Sequence, residues 1–236
     1  MLPWLPENVS TYGGQIDSLF HLVFWITSIT FVLVQGALIV FLVRYRKKPG
    51  RPATYTHGNN TLEIAWTIAP SLILVVLGVL SRSTWHDIKE TMPPSRYEVQ
   101  VTAKQFNWEV TYPGPDGQFG TADDKTLENE LNVPVNEVIR VNLRSRDVIH
   151  SFFVPVLRLK QDTLPGREIP QWFQATKPGR YEIPCAELCG FGHSGMLGHL
   201  TVHTAEDYAK WVQTQWPNAA TAEAAAPGPL AAATGR

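Results

Sequence analysis

The sequence predicts a membrane-anchored all-β protein: a two-helix transmembrane hairpin followed by an outer domain built as a sandwich or barrel. Three observations carry this. Two long apolar runs lie near the N-terminus, the basic residues of that region gather between them, and the remainder is cut by Gly and Pro into short strand-like segments. A near-neutral mean hydropathy hides this division, because it averages a lipid-facing part with a water-facing one.

The first run, Leu19–Val43, is 25 residues without Asp, Glu, Lys or Arg. At ~1.5 Å per helical residue it can cross a ~30 Å hydrocarbon core. The second, Leu62–Leu80, holds one acid, Glu63, and one proline. Arg44–Thr61 between them has five Lys/Arg and no acid, whereas the first 18 residues have Glu7 and Asp17 and no base. The positive-inside rule puts that loop in the cytoplasm and both chain ends on the outer, periplasmic side of a plasma (inner) membrane. The first run is too long for the core of a cleaved leader, and its basic residues follow rather than precede it. The expected division is residues 1–85 for the N-terminal segment and hairpin, 86–217 for the outer domain, and 218–236 for a disordered Ala/Pro/Gly/Thr tail.

The outer part, Asp87–Pro217, has 13 Lys/Arg against 17 Asp/Glu, a net of −4. A mildly acidic face favours a basic partner, and nothing in it suits nucleic acid. Tyr97–Tyr112 alternates apolar and polar residues, as a strand or two would. PGPDGQFGTADD (113–124) is a turn-rich insertion. Its acids suit calcium chemically, but without EF-hand spacing a solvated loop is the simpler reading. Three further β-like stretches follow, and Ala205–Trp216 suits a short closing helix.

Both cysteines fall in CAELCGFGHSGM, as Cys185 and Cys189, with His193 and Met196 close behind. Two thiolates, an imidazole and a thioether in twelve residues select copper over hard cations. Glycines at 190, 192 and 195 let the loop fold tightly. His150, ending a strand-like run, can deliver a second imidazole and complete a two-copper site. Both thiolates would then bridge, with one His on each copper, Met196 as a weak axial ligand, and the Glu187 carbonyl opposite. A site that barely rearranges between redox states relays electrons, and with no position open for substrate it is a relay rather than a catalyst. Three alternatives stay open. They are a Cys185–Cys189 disulfide, a thioredoxin-like copper chaperone and a blue-copper site, although none uses all four groups. His199 and His203 read as structural, and His21 as a packed or interfacial side chain of the first span.

At these residues the chain resembles subunit II of the haem–copper cytochrome c oxidases, over about residues 15–215. The resemblance implies a cupredoxin (Greek-key) outer domain. It also implies a dinuclear CuA centre on His150, Cys185, Cys189, His193, Met196 and the main-chain oxygen of Glu187. The Glu187 carboxylate would hold Mg²⁺ or Mn²⁺ at the contact with subunit I, with Asp147, Asp162 and Arg167 nearby. Glu63 stands where the family supplies a carboxylate to a proton channel, and a helix-start acid is its plain alternative. In AKQFNW, Phe106 occupies the position of the usual Trp at which electrons enter, with Trp108 two residues on. No Cys-x-x-Cys-His is present, so no cytochrome c domain is fused to the chain.

The function this implies is electron acceptance for a respiratory terminal oxidase. A c-type cytochrome or another periplasmic carrier donates, and haem in subunit I receives, where oxygen becomes water. The chain is thus an enzyme subunit whose partners are subunit I, other oxidase subunits, the electron donor and lipid. The alternatives are the CuA subunit of a nitric-oxide reductase and, from another class, a membrane-anchored copper-delivery protein.

Overall fold

A computed structural model describes residues 5–52 and 55–217, so the expectation for the tail at 218–236 lies outside the described residues. The chain forms two units, Gly14–Thr91 and a second that joins the stretch up to Gly13 with Met92 onward.

The first unit is helical. α1 spans Gly13–Arg44 and α2 spans Asn60–Trp85, each longer than its apolar run. Asn59 caps α2, its side chain accepting from the Thr61 and Leu62 amides at 3.1 and 3.2 Å. Hydroxyls along both helices donate to carbonyls of the preceding turn, as Thr27 does to Val23 and Thr67 to Glu63. Such bonds satisfy a polar side chain where no water is available. Apolar side chains such as Phe31, Leu33 and Leu74 stand 64–68% exposed, a surface that only lipid or another apolar chain covers. After α2 the helix loosens into a π-type turn, His86–Glu90, closed by the Thr91 amide on the His86 carbonyl.

The second unit is the cupredoxin-like β-domain. Its strands are β1 (Tyr97–Lys104), β2 (Asn107–Tyr112), β3 (Lys125–Glu128), β4 (Glu130–Pro134), β5 (Val138–Ser145), β6 (His150–Val154), β7 (Leu159–Thr163), β8 (Ile169–Gln174), β9 (Gly179–Pro184) and β10 (Leu197–His203), followed by helix α3 (Ala205–Gln215). One sheet runs β3-β2-β1-β5-β8, another β4-β10-β9, and β6-β7 forms a two-stranded ribbon. Parallel pairing of β1 with β5 and of β10 with β4 breaks a simple meander. β2 alternates in and out, so Trp108, Val110 and Tyr112 are buried. They face the second sheet. The Trp108 indole donates to the Ile183 carbonyl at 3.2 Å, and the Tyr112 hydroxyl accepts from the Asn132 amide at 2.6 Å.

Two attachments were not expected from the sequence pattern. Residues before α1 run beside β8: Ser10 bridges Ala175, the Thr11 amide donates to Gln174, and Val9 and Tyr12 are buried. At the other end Tyr208 and Trp211 of α3 stack against each other and meet Tyr97, His203 and Tyr112. The Trp216 indole beyond α3 donates to the Asp123 carbonyl, tying the insertion loop to the domain.

Candidate metal centre

The twelve-residue connection Cys185–Met196 joins the antiparallel pair β9 and β10, whose last and first residues, Pro184 and Leu197, are partners. Backbone bonds close it on itself. The Cys185 amide donates to the Met196 carbonyl at 3.0 Å, and His193 to Gly190 at 3.1 Å. β6 runs against its start, with Phe152 bridged to Cys185 and the Ala186 amide donating to Ser151. This delivers His150, 35 residues upstream, beside the first cysteine.

All six expected metal-ligating positions converge. The His150, Cys185 and Cys189 ligand atoms lie within 4.8 Å of one another and all three residues are buried. His150 Nδ1 is 3.9 Å from Cys185 Sγ, and Cys189 Sγ is 3.6 Å from His193 Nδ1 and 3.9 Å from Met196 Sδ. The Glu187 carbonyl oxygen lies 3.2 Å from Cys185 Sγ, while the Glu187 residue is exposed. The two sulfurs are 3.9 Å apart and both cysteines are free. That is far beyond the ~2.05 Å of a disulfide, so the pair is held unbridged.

The electrostatics suit a cation. Burial, with the Cys185 thiol alongside, pushes the Cys189 thiol up to about 11. The buried Cys189 thiol resists ionising alone, and a metal ion would supply the missing positive charge and release its proton. Sulfur, imidazole and thioether together fit copper. Asp147 borders the site. Burial raises its carboxyl, but the His150 ring and the Gln105 and Val148 amides outweigh that and hold it below the usual range.

The expected aromatic pair separates. Phe106 is exposed, and its ring covers the loop so closely that a Cβ on Gly192 would fall 2.5 Å from it. Gly190 has φ +130°, which favours glycine. Trp108 is only 1% exposed, so it is not a surface group, contrary to its expected place where electrons enter. The alternation of β2 turns it inward, edge-on to Phe152 and next to the His150 ring at 6.2 Å. His203 meets Asn132 at 2.8 Å and His199 lies 3.7 Å from Glu130, both away from the ligand group, as structural residues do. Asp162 pairs with Lys160 and Arg167 is exposed. Glu63 lies in the first turn of α2, in the helical unit, and His21 lies along α1. The sequence reading missed Gln105, whose amide donates to the Cys189 carbonyl at 2.6 Å. It also missed the bond between Asp147 and His150, for which the Asp-x-x-His spacing was the available signal.

Comparison with known proteins agrees over both units. Residues 4–83 match the family described as cytochrome c oxidase subunit II, transmembrane domain, and residues 99–202 its periplasmic domain. An alternative cytochrome c oxidase subunit 2 of Bradyrhizobium diazoefficiens is 31% identical, covering 90% of this chain and 84% of that protein. Cytochrome c oxidase subunit 2 of Thermostichus vulcanus is 33% identical, covering 88% and 77%. A crystal structure of the periplasmic domain of subunit II of the Bradyrhizobium japonicum oxidase aligns at 32% identity, covering 53% of this chain and 96% of that one, with a TM-score of 0.48.

Proposed function

The chain belongs to the cytochrome c oxidase subunit II family, and on that premise we propose which of its residues perform that subunit's work. It is the membrane-anchored electron-accepting subunit of a haem–copper oxidase, an oxidoreductase complex. The observation that carries the assignment is the convergence of buried His150, Cys185 and Cys189 from two distant stretches of chain.

His150, Cys185, Cys189, His193, Met196 and the main-chain oxygen of Glu187 would hold the dinuclear copper. Bound there, copper supplies a one-electron relay. Buried Met196 and Trp108 keep water from its inner side. Phe106, over Gly190 and Gly192, offers a donor an apolar approach. The net of −4 on the outer domain favours a basic donor such as a c-type cytochrome. Haem in subunit I would be the acceptor. The exposed Glu187 carboxylate is free to hold Mg²⁺ or Mn²⁺ at that contact, and Glu63 serves proton uptake at the cytoplasmic end of α2.

The basic Arg44–Thr61 loop supports a plasma (inner) membrane orientation with both chain ends periplasmic. Pairing of Ser10 and Thr11 with the β8 end agrees, since residues before α1 and after α2 then share one side, as two crossings require. A nitric-oxide reductase subunit or a copper-delivery protein is not favoured, because the relatives matched across both units are cytochrome c oxidase subunits. The test is reduction of the purified complex by a reduced c-type cytochrome, followed at the near-infrared copper band. Fast reduction that is lost in Cys189→Ser supports the assignment, and a complex reduced equally fast without Cys189 contradicts it.

A further inference from the structure

Gln105 and Phe106 form the two-residue turn between β1 and β2, and neither is among the six proposed copper ligands. Yet the turn touches the centre at two points. The Gln105 side-chain amide donates to the Cys189 carbonyl at 2.6 Å. The Gln105 backbone amide donates to Asp147 Oδ2 at 2.7 Å, and Asp147 Oδ1 accepts from the Val148 amide at 2.7 Å and meets His150 Nε2 at 2.8 Å. A buried imidazole bonded to a carboxylate through Nε2 keeps its proton there, so the Nδ1 lone pair faces the sulfurs. A continuous path therefore runs His150–Asp147–Gln105–Cys189, linking segments 42 and 84 residues from Gln105. The fit leaves no slack, since a Cβ on Gly190 would lie 2.7 Å from Gln105 Nε2.

We propose that Gln105, acting through Asp147, is a positioning residue that clasps a nitrogen ligand and a sulfur ligand of the centre at fixed separation. It rests on the assignment of the copper site above. The clasp ties the peptide of Cys189 to the same turn that orients His150, so neither ligand moves independently when the charge of the centre changes. Its contribution is to the retention and electronic structure of the bound copper, not to folding, because Gln105 sits on an exposed turn.

The experiment uses the full chain loaded with copper, and compares it with Gln105→Glu, Gln105→Ala and Gln105→Lys. Gln105→Glu keeps size but replaces the donor by an acceptor, and Gln105→Lys keeps a donor of similar reach. Copper loss to excess EDTA, EPR hyperfine spacing and the melting temperature of the copper-free chain are measured. The clasp predicts about fivefold faster loss for Gln105→Glu and Gln105→Ala, the worth of one hydrogen bond. It also predicts altered hyperfine spacing, unchanged copper-free melting, and loss within about twofold of the parent for Gln105→Lys. Parent-like loss and spectra in Gln105→Glu and Gln105→Ala overturn the clasp alone. So does faster loss matched by a fall in copper-free melting with the hyperfine spacing unchanged. A parent chain that takes up no copper overturns the site assignment, and the clasp with it.

Discussion

Two loops of the outer domain, 113–124 and 185–196, are alike in outline and opposite in chemistry. Each has twelve residues and three glycines, and each is dense in groups that bind metals. In the acidic loop those groups satisfy one another locally. Asp116 accepts from the Gln118 amide, Asp124 from Gly120, and Thr121 donates to Asp123, all within four residues. In the second loop the groups look outward along the sequence, to His150 on β6 and Gln105 on the β1–β2 turn. The first is an exposed turn that completes itself. The second turns Cys185, Cys189 and Met196 into a buried volume and is incomplete without β6 and the β1–β2 turn. Density of polar groups in a short segment does not make a site. Convergence of soft donors on a buried volume does.

The largest effect should come from breaking that convergence. Cys189→Ser removes one of the two buried sulfurs and should abolish dinuclear copper, read as metal content and loss of the near-infrared band. The matched change Asp124→Ala in the acidic loop should leave both unaltered. If Asp124→Ala also empties the centre, the contrast between the loops fails.

Next in size is glycine replacement. Gly192→Ala drives a methyl toward the Phe106 ring and should cost about 1–3 kcal/mol, as overpacking does, measured by denaturant unfolding of the copper-free chain. Gly117→Ala meets nothing within 4 Å but sits at φ +68°, so only its backbone strain counts, about 1 kcal/mol. Equal costs at the two positions would mean that Phe106 does not hold the loop.

The smallest effect concerns how the acidic loop is moored. Trp216→Phe removes the indole bond to the Asp123 carbonyl and should cost about 1 kcal/mol while leaving copper spectra identical. A spectral change would mean that the loops communicate.

The cluster was legible because five of its six members sit in twelve residues rich in sulfur and imidazole, and His150 ends a strand-like run. The helices were legible from length and the absence of charge. Strand alternation, not family position, decides where Trp108 lies. The alternation in QFNWEVTY puts Trp108 in phase with Val110 and Tyr112, all three buried. The strand-like pairing of Ser10 was illegible, since ENVSTY shows no two-residue apolar period and its partners are about 165 residues away. Gln105 was missed for the same physical reason. A polar residue on a turn looks solvated until the loop it meets is folded against it.

In the proposed centre two buried cysteines share a pair of copper ions. EPR of the copper-loaded full chain, with metal analysis of the same sample, tests it most directly. Two coppers per chain and a seven-line hyperfine pattern from one electron shared between them are expected. A four-line pattern from a single copper, or a stoichiometric zinc, would contradict the account.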